Sequence, residues 1–227
     1  MDHIARIYRP AHVPDVFTAE YITSIRSAIR EWERRPIHAG PRLDGQLSQI
    51  IELMLGTSAR IGEVLAVRLC DLNLRASIPT VRISGTIVSG KGEPTHRQDH
   101  PKTSRSVRRI ALPSFAVRAI RARMRRIGPA PAGTLLFSSR AGSPLTTNNI
   151  RRQLRDIMDS AGVADVTPHR FRRTVATTIH EVGGLLLAAE LLGHSDPRIT
   201  VQHYIQRDEA VDPITAQILD KQFGSRS

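Results

Sequence analysis

The spacing of apolar residues changes twice along this chain of 227 residues, and that change constrains the fold more than any single motif. Apolar residues recur every three or four positions over residues 18–35 and 47–56, as on the buried side of an amphipathic helix. The spacing then shortens to two over residues 80–88 and 107–112, which is typical of strands. The sequence therefore predicts helices around a small antiparallel sheet, with a long polar connection over residues 89–106.

Helical spacing returns in the second half of the chain, over residues 114–127 and 147–161. A short helix that carries Arg60 is expected to be capped by Thr57 or Ser58. The predicted fold class is thus mainly α with a small antiparallel β-sheet, an α+β fold. The strand–helix alternation of a Rossmann fold and the glycine-rich loops of nucleotide-binding proteins are absent from the sequence. Three further helices are predicted where a capping residue precedes proline: Thr167-Pro168, Asp196-Pro197 and Asp212-Pro213.

Basic residues are concentrated in one segment of the chain. The whole sequence has 33 Lys+Arg and 21 Asp+Glu, a formal net charge of +12, but residues 100–155 hold thirteen basic residues and no acidic one. Thirty of the basic residues are arginines, whose planar fork matches phosphate oxygens. GC-biased coding also favours arginine over lysine, but it would not remove every acidic residue from 56 positions. The local excess therefore predicts an anion-binding face.

Other features exclude several classes of protein. The single cysteine, Cys70, excludes a disulfide framework, fits a reducing cytosol and is expected in the core. The sequence has no apolar run near the 18 residues of a membrane span, and its first residues lack the apolar core of a signal peptide. His96 and His100 stand four apart in a polar loop with few acidic neighbours, so no metal site is predicted. A cytoplasmic protein that binds a polyanion and no membrane is expected.

Two pairs of polar residues stand three positions apart near predicted helix starts. Arg60 and Glu63 form one pair, in which the carboxylate could orient the guanidinium. His169 and Arg172 form the other, in the first turn of a helix whose unpaired N–H groups favour an anion. Each pair taken alone is more typical of a surface ion pair or a helix cap than of a ligand site, so a phosphate site is predicted only from both pairs together with the rest of the pattern.

Five short motifs follow one another in the sequence, and together they resemble the catalytic domain of tyrosine recombinases, especially actinobacterial phage-type integrases. The resemblance covers roughly residues 45–207, and it implies the mainly helical fold of DNA breaking–rejoining enzymes. Family members usually have Thr-Gly where this chain has Thr57-Ser58. The motifs are TSARIGEVL at 57–65, PKT at 101–103 before RRIALP at 108–113, HRFR at 169–172, LGHS at 192–195 and HY at 203–204.

The resemblance implies a nucleophile and a general acid. Tyr204 matches the residue that attacks a scissile DNA phosphate and forms a 3′-phosphotyrosyl bond, which frees a 5′-hydroxyl. Lys102 matches the lysine that protonates the leaving 5′ oxygen, and Lys91, in a Gly-Lys-Gly turn, is the alternative. Because the phosphotyrosyl ester conserves the energy of the broken bond, neither ATP nor any other cofactor is expected.

The resemblance also implies the groups that hold the phosphate. Arg60 and Arg172 match the two arginines that grip the nonbridging oxygens, which suits a site that works with two arginines and no metal. His194 matches the residue that hydrogen-bonds the phosphate, and His169 the one assigned to proton transfer at the tyrosine. Glu63 matches the acidic residue that supports the arginine and the histidine of the site.

Double-stranded DNA with attachment-site-like core sequences is the implied partner. The resemblance implies a homotetramer on DNA, a monomer in solution and a nucleoid-associated protein in the bacterial cytoplasm, encoded by a bacterium or a phage. The rival functions are a truncated, non-catalytic DNA-binding remnant and a metal-dependent nuclease, although a nuclease needs clustered carboxylates that the site segments lack. Eight arginines are predicted to contact DNA: Arg105, Arg108, Arg109, Arg118, Arg121, Arg151, Arg152 and Arg170.

Three regions are predicted along the chain. Residues 1–40 are expected to form a lead-in with one helix, the remnant of a link to a missing core-binding domain. Residues 41–210 are the predicted catalytic domain, and residues 211–227 form a C-terminal helix and tail. The resemblance implies that this helix docks on a neighbouring protomer, and the alternative is that it folds back onto its own domain.

Overall fold

The computed structural model describes residues 16–35, 44–90, 92–99, 107–193 and 211–224. These ranges contain a set of α-helices, one short 3-10 helix and five short strands. The α-helices are α1 (Ala19–Arg34), α2 (Gln46–Thr57), α3 (Ile61–Leu65), α4 (Ser114–Ile127), α5 (Thr147–Ser160), α6 (Pro168–Leu192) and α7 (Ile214–Phe223), and the 3-10 helix is Leu69–Asp71. The strands are β1 (Leu72–Asn73), β2 (Thr80–Ile83), β3 (Thr86–Val88), β4 (His96–Gln98) and β5 (Arg108–Ala111).

The helices predicted from apolar spacing are confirmed, with ends that agree within one residue for α1, α2, α4 and α5. The predicted start of α6 is confirmed as well, because the Thr167 hydroxyl accepts the Arg170 N–H and Pro168 is the first helical residue. Inside α6 the backbone breaks at Gly184, whose φ of +82° is available at no cost to glycine. Two helical segments therefore meet there at a kink. The predicted start at Asp196-Pro197 lies outside the described residues.

The predicted cap of α3 is wrong. Thr57 is the last residue of α2, where its hydroxyl donates to the Leu53 carbonyl, and Ser58 follows in the left-handed conformation with φ of +54°. Helix α3 begins only at Ile61, and the residue before it is Arg60. The side chain of Glu63 accepts the Arg60 backbone N–H at 2.9 Å. Arg60 and Glu63, the predicted pair three positions apart, therefore cap the start of α3 themselves.

The strands form two small antiparallel sheets rather than the single sheet that was predicted. One has the order β1-β2-β5, and the other is the hairpin of β3 and β4. The strand β4 lies inside the polar connection, so β3 pairs with it and not with β5. The chain passes from one sheet to the other at Gly85, where a Cβ atom would lie 2.7 Å from the backbone carbonyl oxygen of Gln98, so glycine is required.

The core includes residues that precede the predicted catalytic domain. Ile22, Ile25 and Ile29 of α1 are buried with the apolar residues of the other helices. The Phe17 ring contacts the Phe171 ring edge-on at 5.1 Å, and the Phe17 N–H donates to the Thr174 hydroxyl of α6. The described part of the predicted lead-in therefore belongs to the same packed unit, and position 40 does not divide the core.

The C-terminal helix α7 packs on its own chain. Its residues Leu219 and Phe223 are buried, and the Phe223 carbonyl accepts a hydrogen bond from Arg26 of α1 at 2.6 Å. The Asp220 carboxylate accepts the backbone N–H and the hydroxyl of Ser114, the first residue of α4. In this single chain α7 contacts α1 and α4, and docking of the helix on a neighbouring protomer stays a prediction.

Two further predictions concern Cys70 and membrane-spanning segments. Cys70, in the 3-10 helix, is exposed, so its predicted place in the core is wrong. The buried residue of the 3-10 helix is Asp71 instead. Within the described part of the chain, helices with both the length and the apolar character of a membrane span are absent.

The contact of α7 with α4 gives a prediction about stability. Substituting Asp220→Ala removes the carboxylate that caps α4, and the free energy of unfolding should fall by about 1–2 kcal/mol, the usual cost of losing an N-terminal cap. Urea unfolding measures this change. The control Gln217→Ala, on the exposed side of α7, should change the free energy by less than about 0.5 kcal/mol. Equal stability of Asp220→Ala and the parent chain would contradict docking of α7 on its own domain.

Candidate active site

The predicted phosphate-binding residues of the described chain meet at one pocket, which lies where the starts of α3 and α6 approach α5. Its volume is about 420 Å³. Four arginines and a histidine lie on its wall, so its surface is strongly basic. The lining residues are Arg60, Ile61, Arg151, Pro168, His169, Arg172, Arg173, Ala176 and Leu192.

Arg60 reaches the pocket from the residue that precedes α3. Its guanidinium donates through Nη1 to Oε1 of Glu63 at 2.9 Å, while its backbone N–H donates to Oε2 of the same carboxylate. The Arg60 side chain is 55% exposed, whereas that of Glu63 is 8% exposed. A buried carboxylate therefore holds an arginine that remains accessible to a ligand.

Glu63 binds a second arginine, Arg108 of β5, whose Nη2 donates to Oε2 at 3.0 Å. Burial by itself would raise the pKa of Glu63. The Arg108 charge and the Arg60 backbone N–H outweigh burial and hold the pKa below its usual value. Glu63 is therefore ionised at neutral pH and can serve as the fixed negative charge between two guanidiniums.

The burial of Arg108 corrects the prediction that it contacts DNA. Arg108 is 4% exposed and donates inward, to Glu63 and to the carbonyl of Leu191 at 3.1 Å. Alternation in β5 explains this placement, because Arg108 lies on the same side of the strand as the buried Ile110, and Arg109 lies on the other. Arg60 binds the same carboxylate but stays exposed, so it is burial that removes Arg108 from the exposed surface of the described residues.

Arg172 is buried in the first turns of α6, with 7% exposure. It donates to the Ser58 carbonyl at 2.6 Å and to the Leu192 carbonyl at 2.8 Å. Burial, and then the nearby charge of Arg60, lower the pKa of Arg172 to about 10. The group stays protonated at neutral pH, but it lies in a positive field that an anion in the pocket would relieve.

His169 lies beside Arg172 at the start of α6, as the spacing of three predicts. Its side chain is exposed and lines the pocket. The backbone N–H groups of this first turn give the helix start a partial positive charge. A phosphate in the pocket would therefore meet two guanidiniums, an imidazole and a helix N-terminus. The described residues contain no group of three or more His, Cys, Asp or Glu side chains that could hold a metal ion.

The other predicted DNA-binding arginines of the described chain are placed differently from one another. Arg151 is exposed on α5 and lines the pocket, and Arg152 is exposed beside it. Arg109 is half-buried on β5, directly opposite Arg82 of β2. Arg170 lies with its guanidinium 4.7 Å from the centre of the Phe17 ring and donates to a backbone carbonyl, so part of its role is packing.

Arg118 and Arg121 lie on the exposed side of α4 and are not among the described residues that line the pocket. Arg118 donates to the Ser114 hydroxyl, and Arg121 donates to the Leu74 carbonyl. The structure therefore brings Arg60, Glu63, His169 and Arg172 together with Arg151 but does not add the α4 arginines to that group. The predicted site residues Tyr204, Lys102, His194 and Arg105, and the alternative Lys91, lie outside the described residues.

Sequence reasoning did not find the partner role of Arg108 or the backbone carbonyls that hold Arg172. The alternation of β5 carries a signal for Arg108, because it has the same parity as the apolar Ile110 and Leu112. The sequence contains no such signal for the carbonyls of Ser58 and Leu192. Their positions depend on how two distant helix ends meet.

Comparison with known proteins decides the family. Residues 37–210, more than half of the chain, match the model of the phage integrase family. The chain belongs to the phage integrase family. This confirms the family predicted from the five motifs.

Members of the phage integrase family with curated sequences match this chain over part of their length. The tyrosine recombinase XerC of Bacillus pumilus is 30% identical over 175 residues, which are 72% of this chain and 51% of that protein. The integrase of Staphylococcus phage L54a is 28% identical over 181 residues, 75% of this chain and 51% of that protein. The chain spans about half the length of the curated relatives it matches.

Solved structures of recombinases and integrases share the fold. The Tn1549 transposon integrase in complex with transposon right end DNA superposes with a TM-score of 0.64 and 22% identity, over 96% of this chain and 69% of that one. The XerA recombinase gives a TM-score of 0.56 and 21% identity, over 97% of this chain and 67% of that one. These likenesses confirm the predicted fold, a mainly helical domain of this family with a small antiparallel component.

The low pKa of Glu63 predicts how stability depends on pH. Ionised Glu63 stabilises the fold fully above its ordinary pKa of 4.5, and this contribution is lost as the pH falls through the lower folded-state pKa. Substituting Glu63→Gln should cost about 3 kcal/mol at pH 7, because it breaks a buried ion pair. Between pH 7 and pH 3, however, the variant should lose less stability than the parent chain. Urea unfolding at both pH values measures the difference.

The exposed Glu93→Gln is the control, because its side chain lies outside this network. It should follow the parent chain at both pH values. An equal loss of stability in Glu63→Gln and the parent chain on acidification would contradict an ionised, arginine-paired Glu63.

Proposed function

We propose that this chain is the catalytic part of a site-specific recombinase, which integrates or excises DNA by cleaving and rejoining strands through a 3′-phosphotyrosyl bond to Tyr204. The observation that carries the proposal is the meeting of Arg60, Arg172 and His169 at one pocket. Membership of the phage integrase family supports it, and so do relatives named as tyrosine recombinases and integrases.

The geometry suits a phosphodiester that is attacked in line. Negative charge develops on the nonbridging oxygens during such an attack, and donors fixed in advance at those oxygens contribute about 3–4 kcal/mol each. Arg60 and Arg172 are held by partners that leave them on the pocket wall. Because a guanidinium is a permanent cation with two parallel donors, two arginines can supply this stabilisation without a metal ion.

The proton transfers follow from the groups that the family pattern assigns. The Tyr204 hydroxyl oxygen attacks the phosphorus, and its proton passes to His169. The bond between phosphorus and the 5′ oxygen breaks, and Lys102, or Lys91 as the alternative, gives that oxygen a proton. Free tyrosine has a pKa of about 10, so the positive field of the pocket and a nearby base are both needed near neutral pH. Attack of a 5′-hydroxyl on the phosphotyrosyl ester reverses these steps and rejoins the strand.

Double-stranded DNA with attachment-site-like core sequences is the proposed substrate. The Tn1549 integrase and the XerH recombinase were both solved with DNA, and they share this fold. Arg151 and Arg152, exposed on α5 at or beside the pocket, are the described residues best placed to bind backbone phosphates on either side of the attacked one. We propose with it a monomer in solution, a homotetramer on paired DNA sites and a cytoplasmic, nucleoid-associated location.

Trapping the covalent intermediate tests the proposed function. Nicked duplexes with a randomised core lose a short 5′-hydroxyl strand after cleavage, so the adduct accumulates and can be seen on a denaturing gel. The parent chain should form the adduct in EDTA, and Tyr204→Phe should form none. Arg172→Lys keeps the charge but loses the fork, and it should slow adduct formation by about 10²–10³-fold.

Tyr21→Phe is the matched control for the nucleophile, because Tyr21 donates its hydroxyl to the Ala164 carbonyl outside the pocket. It should keep the adduct. DNA binding without any adduct would favour the truncated, non-catalytic remnant, and cleavage that requires Mg²⁺ would favour the nuclease. Either result would overturn the proposal.

The placement of Arg151 predicts the salt dependence of DNA binding. If Arg151 contacts one phosphate, Arg151→Gln should weaken binding and lower the slope of log K against log salt by about 1. Fluorescence anisotropy with a labelled duplex at several salt concentrations measures the slope. Arg35→Gln removes the same charge from the end of α1, where Arg35 stacks on Trp32, and should leave the slope unchanged. An equal change in both variants would mean that net charge, not the pocket, sets the affinity.

A further inference from the structure

One buried guanidinium connects three elements behind the pocket. Arg108 belongs to β5, donates through Nη2 to Oε2 of Glu63 at 3.0 Å, and donates through Nε to the Leu191 carbonyl at 3.1 Å. Glu63 lies in α3 and Leu191 in the last turn of α6. These two contacts are made by different nitrogens of one planar group, so Arg108 fixes the distance between the end of α6 and the carboxylate of α3.

Both contacts lead to a pocket arginine. Oε1 of Glu63 accepts the Arg60 guanidinium at 2.9 Å, so Arg60 and Arg108 share one carboxylate through different oxygens. Leu192, the residue after Leu191, gives its carbonyl to Arg172 at 2.8 Å. Arg108 and Arg60 thus bind the same carboxylate, and the carbonyls that accept from Arg108 and Arg172 belong to consecutive residues.

The use of Oε2 by Arg108 affects how Arg60 can bind. With Oε2 already bonded to Arg108 and to the Arg60 backbone N–H, the Arg60 guanidinium is held through a single contact at Oε1. Without Arg108, Oε2 would keep only the Arg60 backbone N–H, so a second nitrogen of the Arg60 guanidinium could bind there and change the position of the guanidinium. Arg108 therefore limits the number of hydrogen bonds that the Glu63 carboxylate accepts from the Arg60 guanidinium.

The turn that ends α6 lies against the same group. Gly193 has a φ of +63°, and a Cβ atom at this position would lie 3.3 Å from the Arg108 guanidinium. The chain therefore leaves α6 in close contact with Arg108. A change in the position of Arg108 would shift this turn as well as Glu63.

We infer that Arg108 is a positioning residue, which sets Arg60 through Glu63 and the end of α6 through Leu191 without touching the DNA phosphate. The inference rests on the proposed function for its effect on strand cleavage. A purely structural role is the competing explanation, since loss of any buried arginine weakens the fold. The chain offers a matched control for that role, Arg123 of α4. It is also buried, at 6% exposure, and also binds one carboxylate, Asp44, and one carbonyl, that of Leu136.

The experiment compares Arg108→Met, Arg108→Lys and Arg123→Met in single-turnover adduct formation at saturating nicked DNA, with each rate corrected for the folded fraction. We expect Arg108→Met to slow the reaction by about 10²-fold, as for a small misplacement of catalytic groups. Arg108→Lys, which keeps the charge but not the two-nitrogen fork, should slow it less. Arg123→Met should leave the corrected rate within about threefold of the parent chain.

A double-substitution cycle separates action through Glu63 from simple loss of packing. Because Arg108 acts on Arg60 through Glu63, adding Arg108→Met to Glu63→Gln should slow the reaction by much less than Arg108→Met does alone. The double variant should also unfold at no lower urea concentration than Glu63→Gln, since it removes a buried charge left without its partner. Fully multiplicative rate effects would overturn the inference.

The order of the Arg60 side chain, measured by NMR relaxation of its Nε–Hε group, gives a readout independent of cleavage. We expect the order to change in Arg108→Met and to stay unchanged in Arg123→Met. If the parent chain forms no adduct, the proposed function fails, and the Arg60 order still decides the role of Arg108. Unchanged Arg60 order in Arg108→Met would overturn the inference even if the adduct forms.

Discussion

The ionised carboxylate of Glu63 is the interaction on which the rest of the site depends. It lies almost out of contact with solvent, where a charge is costly unless it is paired. Two guanidiniums and a backbone N–H pair it, and they come from residues that are 48 positions apart in sequence. Glu63 therefore links the start of α3 to the strand β5. Moving either element would leave the buried carboxylate without one of its arginine partners.

This arrangement explains how a strongly basic pocket is compatible with a stable fold. Arg60 is exposed at the pocket, and Arg108 is enclosed behind Glu63. Arg172 is enclosed as well, held by carbonyls of two helix ends, and burial together with the Arg60 charge lowers its pKa. The repulsion between these guanidiniums is offset because each one donates hydrogen bonds to carboxylate or carbonyl oxygens on the side away from the pocket. An anion in front of them would make the field favourable.

Much of this fold and part of the site could be predicted from the sequence. Helices such as α4 have apolar residues at a clear period, and Thr167-Pro168 marks the start of α6 chemically, so both were found. The cap of α3 was not, because Ser58 takes a left-handed backbone that favours glycine, and no local rule predicts this for serine. Arg108 was assigned to the surface because charge in a basic segment suggests exposure. The parity that it shares with Ile110 points inward, but only its contact with Glu63 in the folded chain explains why an arginine is buried there.

The contact between Arg26 and Phe223 has a consequence for the architecture of longer chains. It places the end of α7 beside the middle of α1, seven residues from the start of that helix, which corresponds to about 10 Å. The two ends of the described core are thus neighbours on one side of the domain. The domain could then be inserted into a host protein or circularly permuted with little change to the helices that form the pocket.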